Sequence, residues 1–282
     1  MIKILKTNRE IMKMSKMKFV YIVLFPILGM YAQDDTTQLV KPKNGNTYVI
    51  AHRGAHLSVP ENTIAAYENA INMGCDFVEI DLRKTKDGHF VSVHNETVDA
   101  YFDHKSGRVG DFTLSELRDT PLGKNSKGDN EYVPTFEEIL RLCKGRIGIY
   151  LDLKEADIAS QVQLIKKYGM EHDIIWYIYP DSEKEIMTIQ ELCNACWIMP
   201  DPGPEKKLLH FLKKIQPKLI ASDMSELTES FVATAHVNGS KVFVDDKKGN
   251  EEEWLQMISW GTDGIQTDQP EKLIELLKRE YE

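Results

Sequence analysis

The feature that most constrains the fold is an alternation of short strand-like runs with helix-like segments, which begins near residue 47 and continues to the C-terminus. Nine runs are rich in β-branched and aromatic residues: TYVIAH, FVEIDLR, HFVSVHNE, IGIYLDLK, IIWYIY, CWIMP, LIASD, KVFVD and GIQTD. Such alternation favours a parallel sheet covered by helices. So many units within 282 residues favour a closed barrel, which typically needs about 250 residues, over an open sheet. We therefore predict an α/β fold, a distorted (β/α)8 TIM barrel.

The nine runs are one more than the eight strands of such a barrel. The segment KTKDG at 84–88 has the composition of a turn, so the extra strand is expected in a hairpin-like join between FVEIDLR and HFVSVHNE. Residues 95–133 then break the alternation without clear strands, and a segment of this length is uncommon as a plain connection. We predict that about 95–133 form an insertion, a lid or small subdomain, within a barrel domain spanning 47–282.

The N-terminal segment has a different composition. Residues 1–32 carry six Lys and Arg against one Glu, and they end in an apolar run, Phe19 to Ala32. This run is too short and too interrupted by proline for a comfortable membrane-spanning helix. A basic start followed by a short apolar core predicts a signal peptide over 1–32, followed by a polar linker over 33–46. We thus expect an exported protein, periplasmic or extracellular, with an uncleaved membrane anchor as the alternative.

The charge of the chain limits its partners. The formal net charge is −9, and removing residues 1–32 takes away a net +5, which leaves −14. A chain this acidic does not suit nucleic acid or an anionic membrane surface as a general partner, and the sequence implies no stable protein partner. An anionic small molecule would have to be bound by local cations and a metal ion.

Carboxylates occur at the ends of two predicted strands. Glu79 and Asp81 are two residues apart on one strand, which points both side chains to the same side, and Asp152 ends another strand. Because the carboxyl ends of barrel strands form one rim, these three acids are expected to meet there. Three carboxylates suit a hard divalent ion, Mg²⁺ or Ca²⁺. The alternative is a set of surface acids on an edge strand.

Histidines and cations end the same strands. His52 and His94 follow neighbouring runs, and such a pair beside a metal ion can act as acid and base near neutral pH. Arg53 offers a planar fork for a phosphate, and Lys154 adds a second cation. Together these residues predict a site for a phosphate ester.

Other residues have less distinctive settings. Glu61, in PENT, is interpreted either as an acid in the first turn of the first helix, interacting with its dipole, or as a residue beside the site. His56 is interpreted as a surface or packing residue. Cys193 and Cys196 form a lone pair, which disfavours zinc; a short disulfide is possible, but we favour two buried small hydrophobic residues.

These motifs, in their order and spacing, resemble the glycerophosphodiester phosphodiesterase family. The matching segments cover roughly residues 48–275: HRG, PENT, EIDLRKTKDG, VSVHNETV, GRVGDFTLSEL, PTFEEIL, LDLK and GTDGIQTDQP. The resemblance implies a distorted (β/α)8 barrel and metal-dependent hydrolysis of glycerophosphodiesters, such as glycerophosphocholine or glycerophosphoethanolamine, to sn-glycerol 3-phosphate and an alcohol. It also implies that a neighbouring glycerol hydroxyl attacks phosphorus, giving a cyclic intermediate that water opens.

The resemblance assigns a role to each candidate residue. It implies His52 and His94 as acid and base, Arg53 and Lys154 on the phosphate, and Glu79, Asp81 and Asp152 on the metal. Two alternatives stay open: cleavage of a lysophospholipid or another phosphodiester, including transesterification to a cyclic phosphate, and binding of a phosphate or headgroup without turnover.

The chain departs from the family pattern at three places. Asp152 stands where the family usually has Glu, so that a water molecule could separate its carboxylate from the metal. Asn95 follows the second histidine in place of Asp. Asp245 and Asp246 stand where a Trp-Thr pair is usual, and acids facing the rim would disfavour an anionic leaving group.

Overall fold

The computed structural model describes residues 39–155 and 157–281. Within them lie eleven strands in chain order: β1 (Tyr48–Ala51), β2 (Phe77–Lys84), β3 (Phe90–Ser92), β4 (Gly123–Lys124), β5 (Asn130–Glu131), β6 (Gly148–Asp152), β7 (Ile174–Ile178), β8 (Trp197–Pro200), β9 (Leu219–Asp223), β10 (Lys241–Asp245) and β11 (Gly264–Thr267). The helices are α1 (Ile64–Met73), α2 (Leu114–Leu117), α3 (Phe136–Cys143), α4 (Ile158–Tyr168), α5 (Glu183–Leu192), α6 (Glu205–Ile215), α7 (Glu229–Val237), α8 (Glu251–Ser259) and α9 (Pro270–Tyr281).

Eight parallel strands form a nearly closed barrel in the hydrogen-bonded order β8-β7-β6-β2-β1-β11-β10-β9. Strands β8 and β9 lie side by side where the ring closes, but no ladder of backbone hydrogen bonds joins them in the described part of the chain. The predicted (β/α)8 barrel is confirmed. The extra strand is also where it was expected, because β3 pairs antiparallel with the end of β2, with Leu82 opposite Ser92, and lies outside the ring.

Alternation along the strands separates two cores. On β1, Val49 and Ala51 face the helices, whereas Tyr48 and Ile50 face the barrel interior. The rings of Tyr48, Phe77 and Phe243 pack at centroid distances of 5.3 to 6.3 Å and fill the end at which the strands begin. Burying a large apolar side chain stabilises the fold by roughly 1.5–3 kcal/mol. At the other end, the polar groups at the carboxyl ends of the strands line an open cavity.

The first helix begins later than the sequence indicated. Thr63 caps α1 by accepting a hydrogen bond from the amide of Ala66, and Gly74, with φ of 87°, ends it. Glu61 therefore lies in the turn before the helix, and the interpretation of Glu61 as an acid in the first helical turn is wrong.

The segment predicted as an insertion has a hydrophobic core of its own. Residues 95–133 contain a 3₁₀ turn (Val109–Asp111), α2 and the hairpin of β4 and β5. Val98, Phe102 and Leu117 are buried together with two valines of the β3 hairpin. The segment is thus a small packed unit resting on that hairpin.

The described part of the predicted linker lies against the barrel. The Lys43 amide donates to Asp76 Oδ1 at 2.8 Å, and Tyr48 Oη donates to the carbonyl of Val40 at 2.7 Å. The predicted signal peptide, residues 1–32, lies outside the described residues. Among the residues that are described, we find no helix with the length and apolar character needed to cross a membrane.

Cys193 and Cys196 are joined by a disulfide and are both buried. The preference for two unpaired thiols at this position was therefore wrong. The chain leaves α5 and turns directly into β8 here, and this turn brings the two Cα atoms to 5.4 Å, a separation that a disulfide can bridge.

Candidate active site

Three carboxylates from two adjacent strands meet at the open mouth of the barrel. Glu79, Asp81 and Asp152 each offer an oxygen within 4.8 Å of the others, and the side chains of Glu79 and Asp81 are buried. This clustering follows from register, since Asp81 is paired with Asp152 across β2 and β6. The structure thus gathers all three predicted ligand residues at one place.

The cluster has the size and chemistry of a site for a divalent ion. Oxygen ligands lie about 2.0–2.6 Å from Mg²⁺ or Ca²⁺, so two oxygens on one ion are at most about 5 Å apart. Asp152 Oδ1 is buried without a hydrogen-bond partner among the described residues, and such an atom usually has a function. The shorter Asp152 side chain is close enough to share an ion with the other two acids without an intervening water.

The three carboxylates influence one another. Burial raises the pKa of Glu79 well above its usual value, and Asp81 and Asp152 raise it further. Burial also raises the pKa of Asp152. Asp81 behaves differently: burial would raise its pKa, but Lys154 and a hydrogen bond from Asn62 outweigh this effect and lower it. Burial and mutual repulsion thus favour protonation of Glu79 and Asp152, and a bound cation would offset that repulsion.

Lys154 provides a cation for this cluster. Its Nζ lies 2.5 Å from Asp152 Oδ2 and 3.3 Å from Asp81 Oδ1, and it donates to Tyr179 Oη at 2.9 Å. Burial alone would lower the pKa of Lys154, but the two carboxylates raise it above its ordinary value. Lys154 is thus a charged ammonium at the mouth of the barrel.

His52 is held by an acid that follows the last strand. Its Nδ1 lies 2.6 Å from Asp268 Oδ1. Burial alone would raise the pKa of Asp268, but the contacts with His52 and His56 lower it, so this carboxylate is ionised and accepts the hydrogen bond. Nδ1 of His52 therefore donates to this carboxylate, and Nε2 is the ring nitrogen that does not make this contact.

His56 lies beside this pair and is more than a packing residue. Its Nδ1 lies 3.0 Å from the carbonyl oxygens of His52 and Gly54, and its Nε2 lies 3.7 Å from Asp268 Oδ1. It thus supports the turn that carries His52.

His94 lines the same cavity as His52 and the acids. Its Nδ1 lies 2.9 Å from the side-chain oxygen of Asn95, and its carbonyl accepts two hydrogen bonds from the Arg83 guanidinium. Asn95 thus orients this ring with an amide oxygen, whereas a carboxylate orients His52. Asn95 makes this contact without the negative charge that an Asp would carry at the same position.

Arg53 is positioned by Glu61. Its Nη1 donates to both oxygens of Glu61 at 3.1 and 3.0 Å, and its Nε lies 3.8 Å from Asp81 Oδ2. Arg53 has φ of 53°, a costly conformation for a residue with a side chain. The Arg53 amide donates to Glu79 Oε2 at 2.7 Å, which stabilises this turn. Glu61 is therefore a residue beside the site.

A buried polar network holds Asp81. Asn62 Nδ2 donates to Asp81 Oδ2 at 2.9 Å, while its side-chain oxygen accepts from Tyr67 and Ser92 at 2.9 and 2.8 Å. The network fixes the direction of this carboxylate through its Oδ2.

Comparison with known proteins is consistent with this arrangement. Residues 52–191 match the glycerophosphoryl diester phosphodiesterase family. Over 258 residues the chain is 32% identical to a glycerophosphodiester phosphodiesterase of Caldanaerobacter subterraneus. The alignment covers 83% of this chain and 98% of that relative. The chain belongs to the glycerophosphodiester phosphodiesterase family. The predicted enzyme class of that family, a phosphoric diester hydrolase, is confirmed with it.

Solved structures of the glycerophosphodiester phosphodiesterase type share the barrel. One from Agrobacterium tumefaciens superposes with a TM-score of 0.71 at 24% identity and covers 81% of this chain and 99% of its own. A phosphodiesterase of Oleispira antarctica was solved with its product sn-glycerol-3-phosphate and gives a TM-score of 0.71 at 23% identity. The match covers 82% of this chain and 96% of that one.

In this family member the acids and histidines line a cavity of about 460 Å³. The side of the cavity formed by β8, β9 and β10 is also acidic. Asp245 lines it, whereas the buried Asp246 is absent from its lining. Of the two acids that replace the family's usual Trp-Thr pair, only Asp245 therefore faces the substrate cavity.

Sequence reasoning missed several acids at this rim of the barrel. Asp201 and Asp223 line the cavity, whereas Asp268 contacts His52 beside it. Asp268 was not assigned, although it follows GIQT directly, and β11 pairs with β1, which carries His52. Asp201 and Asp223 were missed in the same way. The available signal was position, since each of these acids ends a strand-like run and the carboxyl ends of barrel strands share one rim.

Proposed function

We propose that this protein is a metal-dependent phosphodiesterase that hydrolyses glycerophosphodiesters to sn-glycerol 3-phosphate and an alcohol. The observation that carries the proposal is the lining of one cavity, to which His52, His94 and the three clustered acids all contribute. The relative from Caldanaerobacter subterraneus, which matches over nearly its full length, is named for this activity.

In this proposal Glu79, Asp81 and Asp152 hold Mg²⁺ or Ca²⁺. A divalent ion bound there would neutralise charge on the phosphoryl oxygens during displacement. Arg53 and Lys154 bind the same phosphate from the protein side. The guanidinium of Arg53 lies beside the acid cluster, with its Nε 3.8 Å from Asp81 Oδ2, and it has more donors than Glu61 uses.

His52 and His94 would transfer the protons. Nε2 of His52 would remove the proton from the oxygen that attacks phosphorus, and Asp268 would stabilise the resulting imidazolium. His94 would donate a proton to the oxygen of the departing alcohol. The attacking oxygen belongs to the neighbouring glycerol hydroxyl in the first step and to water in the second, when the cyclic phosphate opens with the two proton transfers reversed.

The test is an assay of the purified protein on a panel of glycerophosphodiesters with Mg²⁺, Ca²⁺ or EDTA, with products followed by phosphorus NMR. We expect glycerol 3-phosphate to form with a divalent ion and to disappear with EDTA. Accumulation of a cyclic phosphate alone would favour transesterification. Headgroup binding without any product, across all the metals tried, would contradict the proposed hydrolysis.

We also propose that the protein is exported by its N-terminal segment. The composition of residues 1–32, basic and then apolar, supports this. N-terminal sequencing of the protein isolated from its native cells should begin near Gln33, and an intact N-terminus would favour a membrane anchor.

A further inference from the structure

The side of the cavity opposite the proposed metal site carries acids that the proposed reaction does not use. Asp201, Asp223 and Asp245 stand at the carboxyl ends of β8, β9 and β10, and all three line the cavity. In the order of the ring, β9 lies four strands from β2 in either direction. Asp223 therefore faces the three clustered acids across the mouth, with Asp201 and Asp245 on the strands to either side of it.

The acids on this far side are only partly neutralised. Glu226 adds a fourth carboxylate to the same lining, and Lys247 contributes one ammonium, whose Nζ lies 3.2 Å from Asp245 Oδ2. Lys247 is half exposed to solvent, so its charge is well screened. Burial raises the pKa of Asp201, and the nearby Glu226 and Asp223 raise it further. The far side therefore has an excess of negative charge.

An aromatic wall connects the two sides. Tyr150 and Tyr177 stack at a centroid distance of 5.9 Å, and Tyr179 meets the Tyr177 ring edge-on at 5.1 Å. Tyr177 Oη lies 3.5 Å from Asp201 Oδ2, so the wall ends at an acid. Faces of aromatic rings beside carboxylates are the surroundings in which ammonium groups bind.

A buried polar group in the same lining points independently to a ligand. Gln266 is 6% exposed, and its Oε1 has no hydrogen-bond partner among the described residues. Gln266 lies in register with Asp245 on the adjacent strand and lines the cavity with it. Asp245 Oδ1 is likewise buried and without a hydrogen-bond partner in the described chain. Unsatisfied buried acceptors are costly, and a bound cation, which their negative charge attracts, relieves this cost.

We propose that the far side of the cavity binds the cationic group of the leaving alcohol, so that the preferred substrates are glycerophosphodiesters of ammonium-bearing alcohols. This inference rests on the proposed function and adds a choice among its substrates. With the phosphate at the metal-binding acids, an alcohol that crosses the cavity brings its ammonium against Asp201, Asp245 and the tyrosine faces. A neutral alcohol gains none of this attraction, and an anionic one is repelled.

The first experiment compares kcat/KM for glycerophosphocholine with kcat/KM for glycerophosphoglycerol, whose leaving alcohol is neutral. We expect the wild type to favour glycerophosphocholine by about tenfold or more, and Asp201→Asn and Asp245→Asn each to reduce that ratio by about tenfold. Glu275→Gln is the control, because it removes one charge from the exposed face of α9 and should leave the ratio unchanged. Equal efficiency on the two substrates, or an unchanged ratio in both variants, overturns the inference.

A second measurement separates this inference from the proposed function. NMR titration of the metal-loaded protein with free choline reports on the far side without any turnover. We expect saturable binding that weakens about tenfold in Asp201→Asn. If no glycerophosphodiester is hydrolysed but choline binds in this way, the proposed function fails and the ammonium site stands. If choline does not bind, or binds Asp201→Asn as tightly as the wild type, the ammonium site is refuted.

Discussion

Nδ1 of His52 lies 2.6 Å from Oδ1 of Asp268, although the two residues are separated by 216 positions in the chain. The barrel makes this contact possible, because β1 and β11 are adjacent parallel strands with Ala51 opposite Thr267. The carboxylate fixes the tautomer and the orientation of the ring, as expected for an acid beside the histidine proposed here as a base.

Replacing Asp268 by Asn should therefore lower kcat by about 10²-fold or more, since an amide can present a donor to Nδ1 and so stabilise the wrong tautomer. The measurement is a pH–rate profile, in which the basic group should titrate differently from that of the wild type. Asp263→Asn is the matched control, because Asp263 makes a similar contact with His236 at 2.8 Å outside the cavity. Equal losses in the two variants would indicate a general effect on folding.

His52→Ala and His94→Ala should each reduce the rate by about 10²–10⁴-fold, because each removes one of the two proposed proton-transfer groups. Steady-state kinetics on a glycerophosphodiester measures this, with His210→Ala, an exposed histidine of α6, as the control. Full activity in either cavity variant would refute the assignment of acid and base.

Glu79→Gln should weaken Mg²⁺ or Ca²⁺ binding by about tenfold or more, since it removes one of three charged ligands. Titration calorimetry in buffers of different ionisation enthalpy should also show proton release on binding to the wild type. This follows from the raised pKa of Glu79, because a ligand must lose its proton to bind a metal. Affinity should therefore increase with pH. Glu191→Gln, on the exposed face of α5, should bind like the wild type.

Lys154→Met should destabilise the metal-free protein by about 3 kcal/mol at neutral pH, because it leaves buried carboxylates without their counter-ion. Urea unfolding measures this, and saturating Mg²⁺ or Ca²⁺ should reduce the difference. The loss should also shrink as the pH falls, since protonated carboxyls need no cation. Lys167→Met removes an exposed pair with Glu137 and should change the free energy of unfolding much less. Equal losses would contradict a special position for Lys154.

The cysteines should fall into two classes. Burial raises the pKa of both Cys75 and Cys143 to about 12, so neither thiol should react with iodoacetamide in the native protein near pH 8. Mass spectrometry should find two labels after unfolding without reductant and four after unfolding with reductant, because Cys193 and Cys196 are paired. Four labels without reductant would exclude the disulfide.

The barrel and its proposed catalytic cluster could be predicted because the sequence patterns that indicate them lie within short segments of the chain. The spacing of Glu79 and Asp81 on one strand specifies that both face the same side. The strand-like runs indicated a closed sheet, and even the extra hairpin strand could be recognised from the turn KTKDG. Both inferences depend on residues close together in the chain.

The missed features depend on the order of strands around the ring. Asp268 reaches His52 only because β11 lies beside β1, and Asp201 lines the cavity only because β8 belongs to the same ring as β2 and β6. The position of Glu61 depended on where α1 begins. The Thr63 cap determines that start, and Pro60 alone did not reveal it. The Cys193–Cys196 disulfide depended on the sharpness of the turn into β8, which composition does not report.

The junction of β8 and β9 is held by neighbouring side chains and has no hydrogen-bond ladder in the described residues. Asp201 and Asp223, which flank this junction, can move apart without breaking strand pairing. A bulkier alcohol would therefore be accommodated by widening the wall here, while β1, β2 and β6 keep the reacting groups in register. Headgroups of different size would thus be accommodated on one arc of the ring, while the proposed reaction takes place on the opposite arc.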